Sequence, residues 1–237
     1  MSTYVLVHGA WHGAWCWHRI TARLEADGHT VLVPDLAGLG RDTTPAKDVT
    51  LAQWADDVAA LLDAQTEPVV LVGHSRGGLV ISEVAERRPD RIKALVYLTA
   101  FLLPDGVSLN DEAATHSDSL VRQNVIPNLA DASVSVREDG LYETFYGECS
   151  AEDVALARAC LRPEPLAPLG TPVRVTAENF GRVRRIYIEC LRDRAMTIGA
   201  QRAMQQILPC SDVHVLDTDH SPFFSTPDQL TTILRSV

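Results

Sequence analysis

The sequence predicts an α/β fold: a mostly parallel central sheet flanked by helices, with an inserted helical cap. Three observations carry this expectation. Short β-branched apolar runs alternate with longer amphipathic stretches over residues 1–100, the alternation stops over residues 101–172, and it resumes over residues 173–237. The candidate strands 4–7, 30–34, 69–73 and 92–99 are continuous apolar runs, as strands covered on both faces should be. Between them, 17–26 carries Ile20 and Leu24 at i, i+4, and 51–63 carries Leu51, Ala55, Val58, Leu61 and Leu62. The stretch 79–88 sets Leu79, Val80 and Val84 on one side. Each has the helical period of a segment packing on a sheet. From 101 to 172 strong strand signals are lacking, whereas Pro104, Pro127, Pro163, Pro165, Pro168 and Pro172 separate short mixed helical stretches such as 151–161. Roughly 70 residues is too long for a plain connection, so an inserted helical subdomain over the sheet end is expected. The βα order returns with a strand at 184–190, a helix near 198–208, a strand at 213–216 and a last helix near 227–234.

Composition limits the function classes. The chain has 237 residues, 46% hydrophobic and 22% charged, which is ordinary for a soluble globular domain and excludes disorder, collagen and coiled coil. With 21 basic against 31 acidic residues the formal charge is -10, a field that repels phosphate backbones and anionic lipid. Neither nucleic acid nor a membrane surface is therefore an expected partner, and a homodimer is compatible with these features. Cys16, Cys149, Cys160, Cys190 and Cys210 are odd in number, widely spaced and without a C-x-x-C pair, so neither a disulfide framework nor a metal site is expected. No basic leader precedes the apolar run 4–7, and no apolar stretch reaches the roughly 18 residues of a membrane span. A cytoplasmic protein is the expectation.

The chemistry is carried by Gly73-His74-Ser75-Arg76-Gly77, a G-x-S-x-G turn after an apolar strand and before a helical stretch. Such a turn lifts a serine hydroxyl above the sheet at a helix N-terminus, so Ser75 is the candidate nucleophile. A serine needs a base held in one tautomer by an acid. His220 follows the strand 213–216 and is the expected base. His74 and the other histidines lack this placement and are expected to be structural. Asp193 follows the strand 184–190 and is the expected acid, with Asp105, Asp217 and Asp219 as rivals. The chain order Ser75, Asp193, His220 is that of one class of serine hydrolases. The oxyanion of a tetrahedral intermediate needs backbone donors, expected at Ala10 and Arg76.

The run from Val5 through His8-Gly9-Ala10-Trp11-His12-Gly13-Ala14 to Trp15, together with Gly73-His74-Ser75, resembles a known family. Glu178-Asn179-Phe180-Gly181, the strand after it, and Asp193 with Gln201-Arg202 add to the likeness. These residues are similar to the branch of the α/β-hydrolase superfamily that contains plant hydroxynitrile lyases and plant methyl esterases. The likeness covers 4–99 and 173–237 and is poor across the cap. It implies an eight-stranded sheet under a helical cap, a cofactor-free Ser/His/Asp site, and small esters or cyanohydrins as substrates. The lyases carry Thr where this chain has Gly9 and Lys where it has Ser221, so hydrolysis is expected over cyanohydrin cleavage. Arg76 departs from the apolar residue usual in the plant enzymes. It is expected to meet an acidic neighbour on the surface, with the pocket wall as the other placement. Trp11, Tyr142, Phe145, Tyr146 and Phe223 are candidate substrate contacts among apolar side chains that are mostly expected to be packing. The sequence thus points to a metal-independent serine esterase for small to medium hydrophobic carboxylic esters. A lyase on the same scaffold and a non-catalytic ligand-binding protein are the rivals.

Overall fold

The structure is a computed structural model describing all residues, Met1–Val237. Six strands form the main sheet: β1 (Thr3–Val7), β2 (Thr30–Leu32), β3 (Val69–His74), β4 (Ile92–Leu98), β8 (Arg185–Cys190) and β9 (Asp212–Leu216). Three more, β5 (Val125–Asn128), β6 (Ser133–Val136) and β7 (Glu164–Pro165), form a separate antiparallel sheet. The main sheet runs β2-β1-β3-β4-β8-β9 with every neighbouring pair parallel. It has six strands and not the eight that the resemblance implied, because β1 is already an inner strand and only β2 lies outside it.

Alternate residues of each inner strand feed two cores, which is why the runs read as continuously apolar. Val5, Val7, Leu71, Leu95 and Tyr97 face one side, where they meet Trp54, Val58, Leu79 and Val84 of helices Leu51–Asp63 and Gly77–Arg87. Tyr4, Leu6, Val70, Val72 and Val96 face the other, against Ile20, Leu24, Leu230 and Leu234 of helices His18–Ala26 and Pro227–Arg235. At the edges the covering thins. Strand β2 stops at Leu32, short of the expected 30–34, where Pro34 has no N–H to offer a ladder. On β9, Val213 and Val215 are exposed.

Between β4 and β8 the chain is not all helical, contrary to the expected helical cap. Helices Leu109–Ala114, Val121–Asn124, Leu141–Phe145, Ala151–Cys160 and Leu166–Gly170 are interspersed along the chain with strands β5, β6 and β7. The strand signal here is only four residues long: Ser133-Val134-Ser135-Val136 in the middle strand, with Pro127 and Pro165 confined to the two edges. The helix starts in this region are better marked. Ser108 with Asp111 and Ser150 with Asp153 form reciprocal capping boxes at the first turns of their helices.

Helix Gly77–Arg87 packs so tightly beneath the exit of β4 that a Cβ on Gly78 would overlap the Phe101 carbonyl oxygen, a backbone atom with nowhere to move. Gly78→Ala is expected to cost about 3 kcal/mol. Gly147→Ala, at a site with nothing within 4 Å, should leave the Tm unchanged. Parallel thermal melts check the contrast.

Candidate active site

The order of strands reverses between β1 and β3, the crevice where open α/β sheets bind ligands beyond the carboxyl ends of their strands. Because β1 and β3 pair in register up to Val7↔Gly73, the loop after β1 and the turn after β3 emerge side by side. The turn is as tight as the glycine spacing requires. A Cβ on Gly73 would come within 2.8 Å of Gly77 O, and one on Gly77 within 2.9 Å of Val7 O. At its apex Ser75 sits at φ 52°, a left-handed conformation unfavourable for a residue with a side chain. The backbone holds it there: Ser75 N–H donates to Leu98 O at 3.2 Å, and Ser75 O accepts from Phe101 N–H at 3.0 Å and Gly78 N–H at 3.1 Å.

His220 lies beyond β9 and Asp193 beyond β8. The His220 imidazole donates from Nδ1 to Asp193 Oδ2 at 2.6 Å. The same carboxylate oxygen accepts from Thr99 Oγ1 at 2.5 Å, while Oδ1 accepts from the N–H groups of Ala195 at 2.7 Å and Met196 at 2.8 Å. Asp193 is thus bonded on both oxygens and fixes the ring of His220. Gln201 ties the loop down, bonding the N–H and carbonyl of Cys190 and the carbonyl of Met196. The rival carboxylates are engaged elsewhere. Asp105 accepts from Val175 N–H, Asp217 pairs with Arg192, and Asp219 accepts from the N–H groups of Glu148 and Ser221. No hydrogen bond joins Ser75 to His220; the two residues line one cavity of about 390 Å³.

Ala10 and Arg76 line the same cavity, and the N–H of neither donates a hydrogen bond within the protein. The Arg76 side chain is not on the surface. It is fully buried, with Nε 2.8 Å from Glu164 Oε1 of β7, Nη2 donating to Gly9 O at 3.0 Å, and the guanidinium 4.2 Å above the Trp54 ring. Burial raises the Glu164 carboxyl and lowers the Arg76 guanidinium, and each charge opposes that shift in the other. Glu164 Oε2 also accepts from the N–H of Trp11, whose φ is 63°. Sequence reasoning missed Glu164 and Thr99. Neither stands in a motif, and each gains its role from a partner on a distant element.

Of the candidate substrate contacts, Trp11 and Phe145 line the cavity and the other three do not. Tyr142 is half exposed and donates to Gly147 O. Tyr146 is buried with its hydroxyl 2.7 Å from His12 Nε2, and Phe223 is core packing against Trp17 and His74. Aromatic composition marks apolar surface without saying which way it faces.

Three neutral histidines lie beneath the site. His74 donates from Nε2 to the carbonyl of His220 at 2.8 Å, and burial holds it well below the usual imidazole range. His8 accepts from Leu36 N–H at Nε2 and donates from Nδ1 to Gly9 O, with burial pushing it down to about 3. His12 donates from Nδ1 to Ala10 O and is pushed down, mainly by burial, to about 4. Because both values lie below the ordinary 6.5, the unfolded chain binds more protons than the folded one as pH falls from 6.5 toward 4. Stability is therefore expected to fall with falling pH in that window, by about 1.4 kcal/mol per pH unit for each histidine. Tm measured from about pH 7 down to about pH 4.5 should decline steadily, and a flat profile would contradict the buried neutral state.

Comparison with known proteins identifies the family. Residues 4–232 match the model of the Alpha/beta hydrolase family. The chain is 34% identical to Methylesterase 1 of Arabidopsis thaliana over 251 residues, covering 96% of this chain and 92% of that protein. It spans 55 to 72% of the length of five longer chloroplastic relatives from the same plant. Among solved structures, tomato methylketone synthase I bound to β-ketoheptanoate superposes with a TM-score of 0.90 at 26% identity, covering 99% of this chain and 96% of that one. A pyrethroid hydrolase from Sphingobium faniae gives 0.88 at 28% identity, with coverage of 99% and 96%. No helix is long and apolar enough to cross a membrane. The chain belongs to the α/β hydrolase family.

Proposed function

We propose that the protein is a serine esterase that hydrolyses small to medium hydrophobic carboxylic esters through an acyl-enzyme on Ser75. One observation carries the reading: a serine in a left-handed turn faces the same cavity as a carboxylate-anchored imidazole and two unused N–H groups. Ser75 Oγ attacks the ester carbonyl as His220 Nε2 takes its proton, and Asp193 steadies the resulting imidazolium. The N–H groups of Ala10 and Arg76 receive the oxyanion. His220 then protonates the departing alcohol, activates a water against the acyl-enzyme, and returns the proton to Ser75. The cavity walls, among them Trp11, Phe101, Val134, Phe145, Leu169 and Met204, are apolar and suit a hydrophobic acyl or alcohol group. The scattered, unpaired cysteines support a reducing, cytoplasmic setting.

The lyase alternative is disfavoured by space as well as by composition. A Cβ on Gly9 would fall 2.7 Å from His74 Nδ1 and 2.9 Å from Ser75 Cβ, so the threonine of the lyases has no room here. Ser221 is buried and outside the cavity wall, and its hydroxyl offers no cation to a leaving cyanide. A pure binding protein would have no use for a strained serine beside an anchored imidazole.

Ser75→Ala is expected to abolish p-nitrophenyl acetate turnover and covalent labelling by a fluorophosphonate, with no cyanide released from mandelonitrile by the wild type. Undiminished turnover in the variant would end the esterase reading. Asp193→Asn should keep the fold and lower kcat by about 10⁴, because an amide at this position leaves the imidazole in the wrong tautomer. Steady-state kinetics on the purified variant checks this.

A further inference from the structure

The Arg76 side chain has no place in the proton transfers, yet it is buried beside them and its contacts converge on one peptide group. The bond from Nη2 falls on Gly9 O, the carbonyl of the Gly9–Ala10 peptide, whose N–H is the oxyanion donor proposed at Ala10. In a trans peptide the C=O and N–H point in opposite directions, so a group gripping the carbonyl from below aims the N–H away from itself. The same carbonyl accepts a second bond from His8 Nδ1 at 2.9 Å. On the other side of Ala10, Glu164 Oε2 holds the N–H of Trp11 at 2.8 Å, and Glu164 is in turn held by Arg76. Two donors on the carbonyl, one of them cationic, draw electron density from the amide and make its N–H a stronger donor.

We infer that the Arg76–Glu164 pair is a positioning device for the oxyanion site: the guanidinium orients and polarises the Gly9–Ala10 peptide, while Glu164 locks the following peptide. The inference rests on the esterase reading. Arg76 then serves the oxyanion twice, directly through its own N–H and indirectly through its side chain. Glu164 comes from β7 and its carboxylate from the region above the sheet, so the pair also makes the oxyanion geometry depend on that region being seated. The chemical class selected is any carbonyl substrate that passes through a tetrahedral anion at this point.

Removing Arg76 alone would strand a buried carboxylate, so the informative variant is Arg76→Met with Glu164→Gln, which is charge-neutral, keeps an acceptor for Trp11 N–H and retains the backbone N–H at position 76. Expected are a wild-type KM within about threefold, and a kcat lowered about tenfold or more, part of the loss seen when an oxyanion donor is removed outright. Affinity for a trifluoromethyl ketone, which forms a tetrahedral anion on Ser75, should fall with kcat. Affinity for the matching secondary alcohol, which forms none, should not. Arg76→Lys is the second variant. It keeps a cation beside Glu164 but has one ammonium where the guanidinium spans two acceptors, and the same split between ketone and alcohol is expected. Wild-type kcat and ketone affinity in both variants would overturn the inference, as would equal losses for ketone and alcohol, which would mean that the pair merely shapes the cavity. Failure of the wild type to be labelled at Ser75 by a fluorophosphonate would instead sink the esterase reading itself.

Discussion

The parallel pairing of β1 with β3 is the constraint from which the site follows. Neighbouring strands lie about 5 Å apart, so two segments that leave the sheet together at Val7 and Gly73 cannot avoid each other. The chain runs outward from β1 to β2 and then returns to the other side of β1 as β3, which opens a crevice at that pair. Past the end of the ladder, backbone N–H groups have no strand partner. Those of Ala10 and Arg76 stay unused beside Ser75.

The other side of β3 brings Asp193 and His220, the acid and base of the proposed mechanism, to the same edge by the same logic. Strands β3, β4, β8 and β9 are consecutive neighbours, and Ser75, Thr99, Asp193 and His220 follow their carboxyl ends in that order. Four residues spread along most of the chain thus stand in one row across the sheet edge. The carboxylate in the row takes four hydrogen bonds, which leaves little freedom to the imidazole it holds. Over this row, Trp11 Nε1 donates to Val134 O of β6 and Arg162 N–H to Trp11 O, binding the upper region to the loop after β1. The buried Arg76–Glu164 pair joins the same two parts. Such pairs seldom add net stability, because desolvation offsets much of the attraction, but a half-removed pair is costly. The positioning role inferred for it above is geometric, through the contacts of Arg76 Nη2 with Gly9 O and of Glu164 Oε2 with Trp11 N–H.

Legibility tracked the range of the interactions involved. The inner strands could be read because each residue of a two-sided strand must be apolar, and the turn at Ser75 because its glycines answer close backbone contacts a few residues away. The capping boxes at Ser108 and Ser150 are equally local, each within one turn of helix, but were not read in the sequence. Strand β6 was missed because four alternating residues between prolines carry too little period to separate from loop. Thr99 escaped notice since its hydroxyl matters only through a carboxylate 94 positions away. The surface placement expected of Arg76 failed for a similar reason: a long cationic side chain is normally solvated, and only a buried carboxylate from a remote strand could bring it inside.

By itself, then, the chain's pattern of apolar runs, glycines and motif spacing determined the fold class, the turn that bears the serine, and which histidine and aspartate follow the strands beside it. Those features are set by backbone sterics and by a periodicity that every residue of an element repeats. The tertiary structure alone decided the pairing of Arg76 with Glu164, the bond of Thr99 to Asp193, and the direction in which Tyr142, Tyr146 and Phe223 point. Each of these is a single contact between distant segments, made by residue types common throughout the chain, and a pairwise contact leaves no period in the sequence from which it could be read.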